Sequence, residues 1–311
     1  MNVDERTRID PDPVADERWW PSPFGAEDQQ GMLNLITEEK RRTALATVRE
    51  GRLYDLAHVL DERVPVFPGR HFRQLLVTTA HHANAGSDEG PGTGLGDNNV
   101  NWVIEQISST TQLGTHLDAL NHLQIGSRGY NGWSVSEMAE SWGTNRLGAE
   151  TIPQIVTQGW LVDVPAVRGV DRLDRGDVIT VEDVRRALGD AVPEPGDAVL
   201  FHTGWSEYWN DAETYLSGEP GPGMELAHWL VAHRVALTGC DTWSYGPVPA
   251  EDRARTFEVP QMLNVRHGMF VVENLDTSAL AADGVREFAL ILTHPKLRGA
   301  TGAWTAPIAM V

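Results

Sequence analysis

Cysteine is nearly missing from this chain of 311 residues: Cys240 stands alone. A lone thiol closes no intramolecular disulfide, so stability must come from packing or a bound metal, as in a reducing compartment. Long apolar runs are missing too. None nears the roughly 20 residues that span a bilayer, and the opening, Met1 to Arg18, mixes charge with proline where a secretion signal would be basic and then apolar. A cytoplasmic protein with no membrane partner is expected. Positive charge is scarce, with 25 Lys and Arg against 44 Asp and Glu and a net charge of −19. That balance repels phosphate backbones and argues against nucleic acid as a partner. It suits a soluble enzyme and helps keep a large oligomer from precipitating.

Two nucleotide and nucleophile signatures are also absent. The run Gly90-Pro91-Gly92-Thr93-Gly94-Leu95-Gly96 lacks the Lys-Ser/Thr of a phosphate loop and the spacing of a dinucleotide fingerprint. Gly204-Trp205-Ser206-Glu207-Tyr208 approaches a nucleophile elbow without its second glycine. Cys240, after an apolar run and beside Asp241, reads as a buried structural thiol.

What is present alternates between two periods. Residues 1–17 lack a periodic apolar pattern and read as an arm, disordered or ordered only against another subunit, ahead of one domain over 18–311. Thr37 before Glu38 and Glu39 predicts a helix running through Val48, with Gly51 as its stop. Ser134 with Glu137 and Thr180 with Asp183 have the spacing of reciprocal caps, and Met224 to Arg234 is helical in pattern. Short apolar runs predict strands at Leu75–Thr79, Trp160–Val164, Ala198–Thr203, Val235–Gly239, Phe270–Glu273 and Phe288–Leu292. The alternation is α/β. Ala83 to Asn99, rich in Gly, Asp and Asn, predicts a long loop serving a site.

The chemistry concentrates in Gln112-Leu113-Gly114-Thr115-His116-Leu117-Asp118-Ala119-Leu120-Asn121-His122. Gln112, His116, Asp118 and His122 would share one face of a continuous strand, but its ends would lie about 33 Å apart, too far for one ion. His116 and Asp118 alone, about 6.6 Å apart in extended chain, can converge on one cation. Asp118 and His122 are four apart, so a bend after Asp118 would bring His122 back over the ion. Gly114 permits the close backbone approach such a turn needs. Phe67, Trp102 and His202 are candidate pocket residues for a ring-shaped substrate, Phe67 beside Pro68-Gly69 above all.

Gly114, Thr115, His116, Asp118 and His122 fall on the His-x-Gly-Thr-His-x-Asp-x-x-x-His signature of the cyclase family, which includes kynurenine formamidases and isatin hydrolases. The resemblance continues through Ala119-Leu120-Asn121-His122 and Gly129-Tyr130-Asn131-Gly132. It extends to Val64-Pro65-Val66-Phe67-Pro68-Gly69, Phe201-His202-Thr203-Gly204-Trp205, Gly239-Cys240-Asp241-Thr242-Trp243 and Val271-Val272-Glu273-Asn274-Leu275. It implies a swivelling β/β/α fold with a mixed sheet and a small barrel-like region, and assembly as a homodimer or homotetramer.

Where the chain departs from the signature, its first histidine is Gln112, and the histidine that some relatives carry twelve residues before Glu273 is Gln261. Amide oxygens in place of imidazoles favour a harder ion. The resemblance thus implies one divalent metal, Mn²⁺ in preference to Zn²⁺, on His116, Asp118 and Gln261, with Gln112 a fourth ligand or an orienter. His122 is then the leading proton acceptor and Glu273 its rival. The activity implied is hydrolysis of a small molecule, a cyclic amide, imide, lactone or aryl formamide. A lyase or cyclase stabilising an enolate and a non-catalytic small-molecule-binding protein are the two alternatives.

Overall fold

The computed structural model describes residues 18–78, 97–98 and 102–311. The arm over 1–17 and, residues 97 and 98 apart, the loop over 83–99 lie outside the described residues. Eleven strands frame the site: β1 (Leu53–Asp55), β2 (Phe72–Thr78), β3 (Ile104–Ser109), β4 (His116–Asp118), β5 (Ile155–Asp163), β6 (Ala198–His202), β7 (Leu237–Cys240), β8 (Phe270–Glu273), β9 (Glu287–Leu292), β10 (Gly302–Trp304) and β11 (Ile308–Met310).

Nine of them form one mixed sheet in the order β1-β11-β9-β5-β6-β7-β8-β4-β10, curled into a half-barrel. The strands β5 to β8 run parallel to one another, and every other pairing in the sheet is antiparallel. β2 and β3 make a separate antiparallel ribbon.

The parallel centre explains which strands the apolar pattern marks. Strands covered on both faces read as unbroken apolar runs, and β7 and β8 are buried along their whole length while β6 is buried up to His202. The expected strands over 198–203, 235–239, 270–273 and 288–292 therefore fall within a residue or two of β6, β7, β8 and β9. β5 starts five residues before the expected Trp160, at Ile155.

The helices follow their caps. α1 (Glu38–Ala46) starts at Thr37, whose side chain accepts from the Lys40 amide, and stops two residues before Val48. α2 (Val181–Leu188) opens on a full capping box between Thr180 and Asp183 and closes at Gly189. α3 (Met224–Ala232) matches its expected start. The Ser134 cap does not form: its hydroxyl bonds Ser136, and only one turn, Val135–Met138, follows. No helix among the described residues is long and apolar enough to cross a membrane.

Candidate metal centre and its cavity

Three facts of local geometry build the site. His116 and Asp118 lie on β4 two residues apart and so project from the same face. β8 pairs antiparallel with β4, setting Glu273 directly opposite His116, within side-chain reach on that face. β10 flanks β4 on its other side and puts Gly302 opposite Asp118.

One donor atom from each of His116, Asp118 and Glu273 therefore lies within 4.8 Å of the others. His116 Nε2 stands 3.5 Å from Asp118 Oδ1 and 3.3 Å from Glu273 Oε2. All three side chains are buried.

The backbone around Gly114 sets the imidazole's tautomer. His116 Nδ1 lies 2.8 Å from the Gly114 carbonyl, which only accepts, so Nδ1 carries the proton and Nε2 presents a lone pair. Asn274 donates to the same carbonyl at 3.0 Å, and its own side-chain oxygen accepts from the Tyr215 hydroxyl at 2.7 Å. Thr115 donates to the Asn274 carbonyl at 2.6 Å. Gly114 has φ +61°, and a Cβ there would meet the Leu60 side chain at Cδ2, 2.0 Å away, so what crowds this glycine is a side chain and not the close backbone approach expected.

The trio fits a cation. His116 Nε2 and Asp118 Oδ1 are fully buried and have no hydrogen-bond partner, although leaving buried acceptors unmatched costs about 1–3 kcal/mol each. Burial works to raise the Asp118 carboxyl, but the charge of His122, the nearby His116 imidazole and, further out, the Arg70 charge hold it below its ordinary value. Burial pushes Glu273 well up, and the Asp118 charge pushes it further. A positive ion between them would relieve both burial and like-charge repulsion.

A cavity of about 430 Å³ opens over the trio, and among the residues lining it are Phe67, Arg70, Gln112, His122, Trp243 and Phe257. Its apolar wall is aromatic. Phe67 meets Trp243 edge-on at 4.5 Å, and Trp243 meets Phe257 at 6.3 Å. Trp243 is held by Glu219, a fully buried carboxylate that accepts from the Trp243 and Ser244 amides at 2.6 and 3.0 Å. His122 lies after the bend that follows Asp118, with Nε2 at 4.0 Å from Asp118 Oδ1, and faces the cavity. Gln112 also lines it, but its amide donates to Thr301 and accepts from Thr111.

The structure does not bring Gln261, His202 or Trp102 to this cavity. Gln261 ends the single turn α4 (Glu258–Gln261). Pro260 and the preceding Phe257, three apart, line the site cavity, while Glu258 and Gln261, also three apart, line a separate one, because residues three apart share a helix face. The Gln261 amide donates to the Gln124 carbonyl at 2.7 Å. His202 is paired instead with buried Asp241 at 3.3 Å and with Thr277 at 2.8 Å. Trp102 lies half-exposed just before β3. Conversely, Arg70 and Phe257 carry no signal of their own in the sequence pattern, and Trp243 enters it only as the end of the Gly239-Cys240-Asp241-Thr242-Trp243 segment. Arg70 directly follows the Phe67-Pro68-Gly69 turn, and adjacency to a candidate pocket residue is the one local hint of its place.

The sequence profile of the Cyclase family matches residues 54–247. This chain belongs to the Cyclase family. No curated protein matches it. Among solved structures, a novel cyclase superposes with a TM-score of 0.81 at 27% identity, covering 93% of this chain and 96% of the other. Isatin hydrolase A from Labrenzia aggregata, bound to benzyl benzoate, gives 0.58 at 21% identity over 88% and 98%. An isatin hydrolase bound to the product analogue thioisatinate gives 0.61 at 16% identity over 87% and 95%. The cyclase-like fold of these neighbours is the half-barrel described above.

Proposed function

We propose that this protein is a metal-dependent hydrolase that opens a cyclic amide, imide or lactone, or cleaves an aryl formamide. The observation that carries this reading is the pair of buried, unpartnered acceptors His116 Nε2 and Asp118 Oδ1 beside Glu273, at the floor of an aromatic cavity. Hydrolase relatives of the same fold support it.

His116, Asp118 and Glu273 would hold one divalent ion. Two carboxylates and one imidazole are a mostly oxygen donor set, which suits Mn²⁺ or another hard ion better than a thiolate-type zinc site. Bound there, the ion would polarise a carbonyl and make water acidic enough to supply a nucleophile near neutral pH. Glu273, with its oxygen turned to the trio, then serves as a ligand, and His122 is left as the proton carrier. It stands on the cavity side of Asp118 and takes the proton of the attacking water, returning it to the leaving nitrogen or oxygen. Gln112, tied to Thr301 and Thr111, steadies the wall and does not contact the ion. Phe67, Trp243 and Phe257 give a flat ring its place and exclude water from it.

The test is elemental analysis of the purified protein together with a panel of lactams, imides, lactones and formamides, run with Mn²⁺ or Zn²⁺ in H₂¹⁸O. About one metal per chain and one ¹⁸O per product are expected. Turnover without ¹⁸O would move the assignment to a lyase or cyclase, and ligand binding without turnover across the panel would overturn it.

A further inference from the structure

Among the described residues, Arg70 is the one basic side chain lining the site cavity other than His122. Its Nη1 donates to the Gln112 carbonyl at 2.8 Å, and its guanidinium lies over the Phe67 ring, 5.6 Å from the centroid. That hydrogen bond uses one of five donors. Among the described residues Arg70 makes no ion pair, and it lines the same cavity as Asp118 and Glu273.

The charges then decide what the cavity accepts. A divalent ion would balance the two carboxylates of the trio, which among the described lining residues leaves Arg70 as the uncompensated formal charge of the loaded cavity, in a protein of net charge −19. A guanidinium stacked on an aromatic ring is the group that binds carboxylates in a two-pronged way. A single guanidinium matches a singly charged anion, and a phosphate dianion would meet Asp118 and Glu273 without enough positive charge to offset it.

We infer that Arg70 is a specificity-determining residue that receives a carboxylate of the substrate. The molecule turned over is then an aromatic acid whose ring lies against Phe67, Trp243 and Phe257 and whose scissile amide or ester reaches His116, Asp118 and Glu273. This rests on the hydrolase reading and adds to it the carboxylate and its receiver.

The experiment compares 2-formamidobenzoate with the neutral formanilide on Mn²⁺-loaded wild type, Arg70→Gln and Arg70→Lys. In parallel, calorimetry measures benzoate against benzamide. The ratio of kcat/KM between the two formamides is expected to fall at least tenfold in Arg70→Gln, with Arg70→Lys between, since it keeps a charge but loses the fork. Intrinsic reactivity and any general damage cancel from that ratio. Benzoate should lose about tenfold in affinity in Arg70→Gln while benzamide does not. A ratio and a benzoate affinity that are both unchanged in Arg70→Gln overturn the inference, because the carboxylate would then be received by the ion. If neither these formamides nor any member of the lactam, imide and lactone panel is hydrolysed but benzoate affinity still depends on Arg70, the hydrolase reading falls and the carboxylate receiver stands. If benzoate shows no advantage over benzamide in wild type and no member of that wider panel is cleaved, both fall.

Discussion

His116 and Asp118 were legible in the sequence because extended chain brings alternate residues to one face, and an imidazole and a carboxylate at that spacing, beside Gly114 and Thr115, are donor types that a divalent ion takes together. Glu273 could be named only by resemblance, since nothing local ties it to β4; strand pairing does so. Gln261 shows the opposite case, a residue whose place in a motif pointed to the ion while one helical turn faced it elsewhere. The roles separate by mutation. Asp118→Asn should lose both the metal, measured by elemental analysis, and turnover. His122→Ala should keep the metal and lose roughly 10²–10⁴-fold in kcat, the usual worth of a positioned proton carrier. Retained turnover in His122→Ala, or loss of its metal, would exchange the roles of His122 and Glu273.

At the scale of elements, strands covered on both faces announced themselves, whereas β1, β4, β10 and β11 have three residues each, too short to show a period. The α2 cap was legible because both of its partners are near in sequence, and Thr180→Ala should cost about 1 kcal/mol in chemical denaturation. The Gly114 turn is less forgiving. With its positive φ and Leu60 against the missing Cβ, Gly114→Ala should destabilise by more than about 1 kcal/mol and weaken metal binding, read by titration, because its carbonyl orients His116.

The end of β6 carries a pH dependence. Burial works against the charged His202, but the hydrogen bond and charge of Asp241 outweigh it and raise its pKa. The same contact, with the Thr203 donors, holds Asp241 below its usual value against burial. His202 thus contributes fully below the unfolded imidazole value of about 6.5, and the contribution is lost as pH rises through its higher folded value. Asp241 contributes above its unfolded value of about 3.9 and is lost as pH falls through its lower folded value. The pair supports the fold most between these two, so Tm should decline as pH rises from about 6.5, and His202→Gln should flatten that decline. An equal slope in both proteins would show that the pair does not control it.

Across the whole molecule, the ion is expected to act as a fastener between two strands, β4 and β8, whose residues are far apart in the chain. A ligand at a hundred times its dissociation constant adds about 2.7 kcal/mol to stability, so chelator treatment should lower Tm by several degrees, and Mn²⁺ should restore it. The same treatment should leave Asp118→Asn unmoved. Mixed-sheet topology was legible as a class, α/β; the order of strands was not, because the pairing of β4 with β8 and β10 joins segments that no short-range pattern relates.

The bond from Asn274 to Gly114 spans 160 positions of the chain, and Glu273 is the neighbour of that asparagine. During synthesis, a polypeptide that has not yet emerged past β8 owns two thirds of a cage and nowhere to lock it. On the one-ion reading proposed above, capture of the metal would be a late event, reserved for chains whose distant segments have already met, and half-made copies would stay chemically silent.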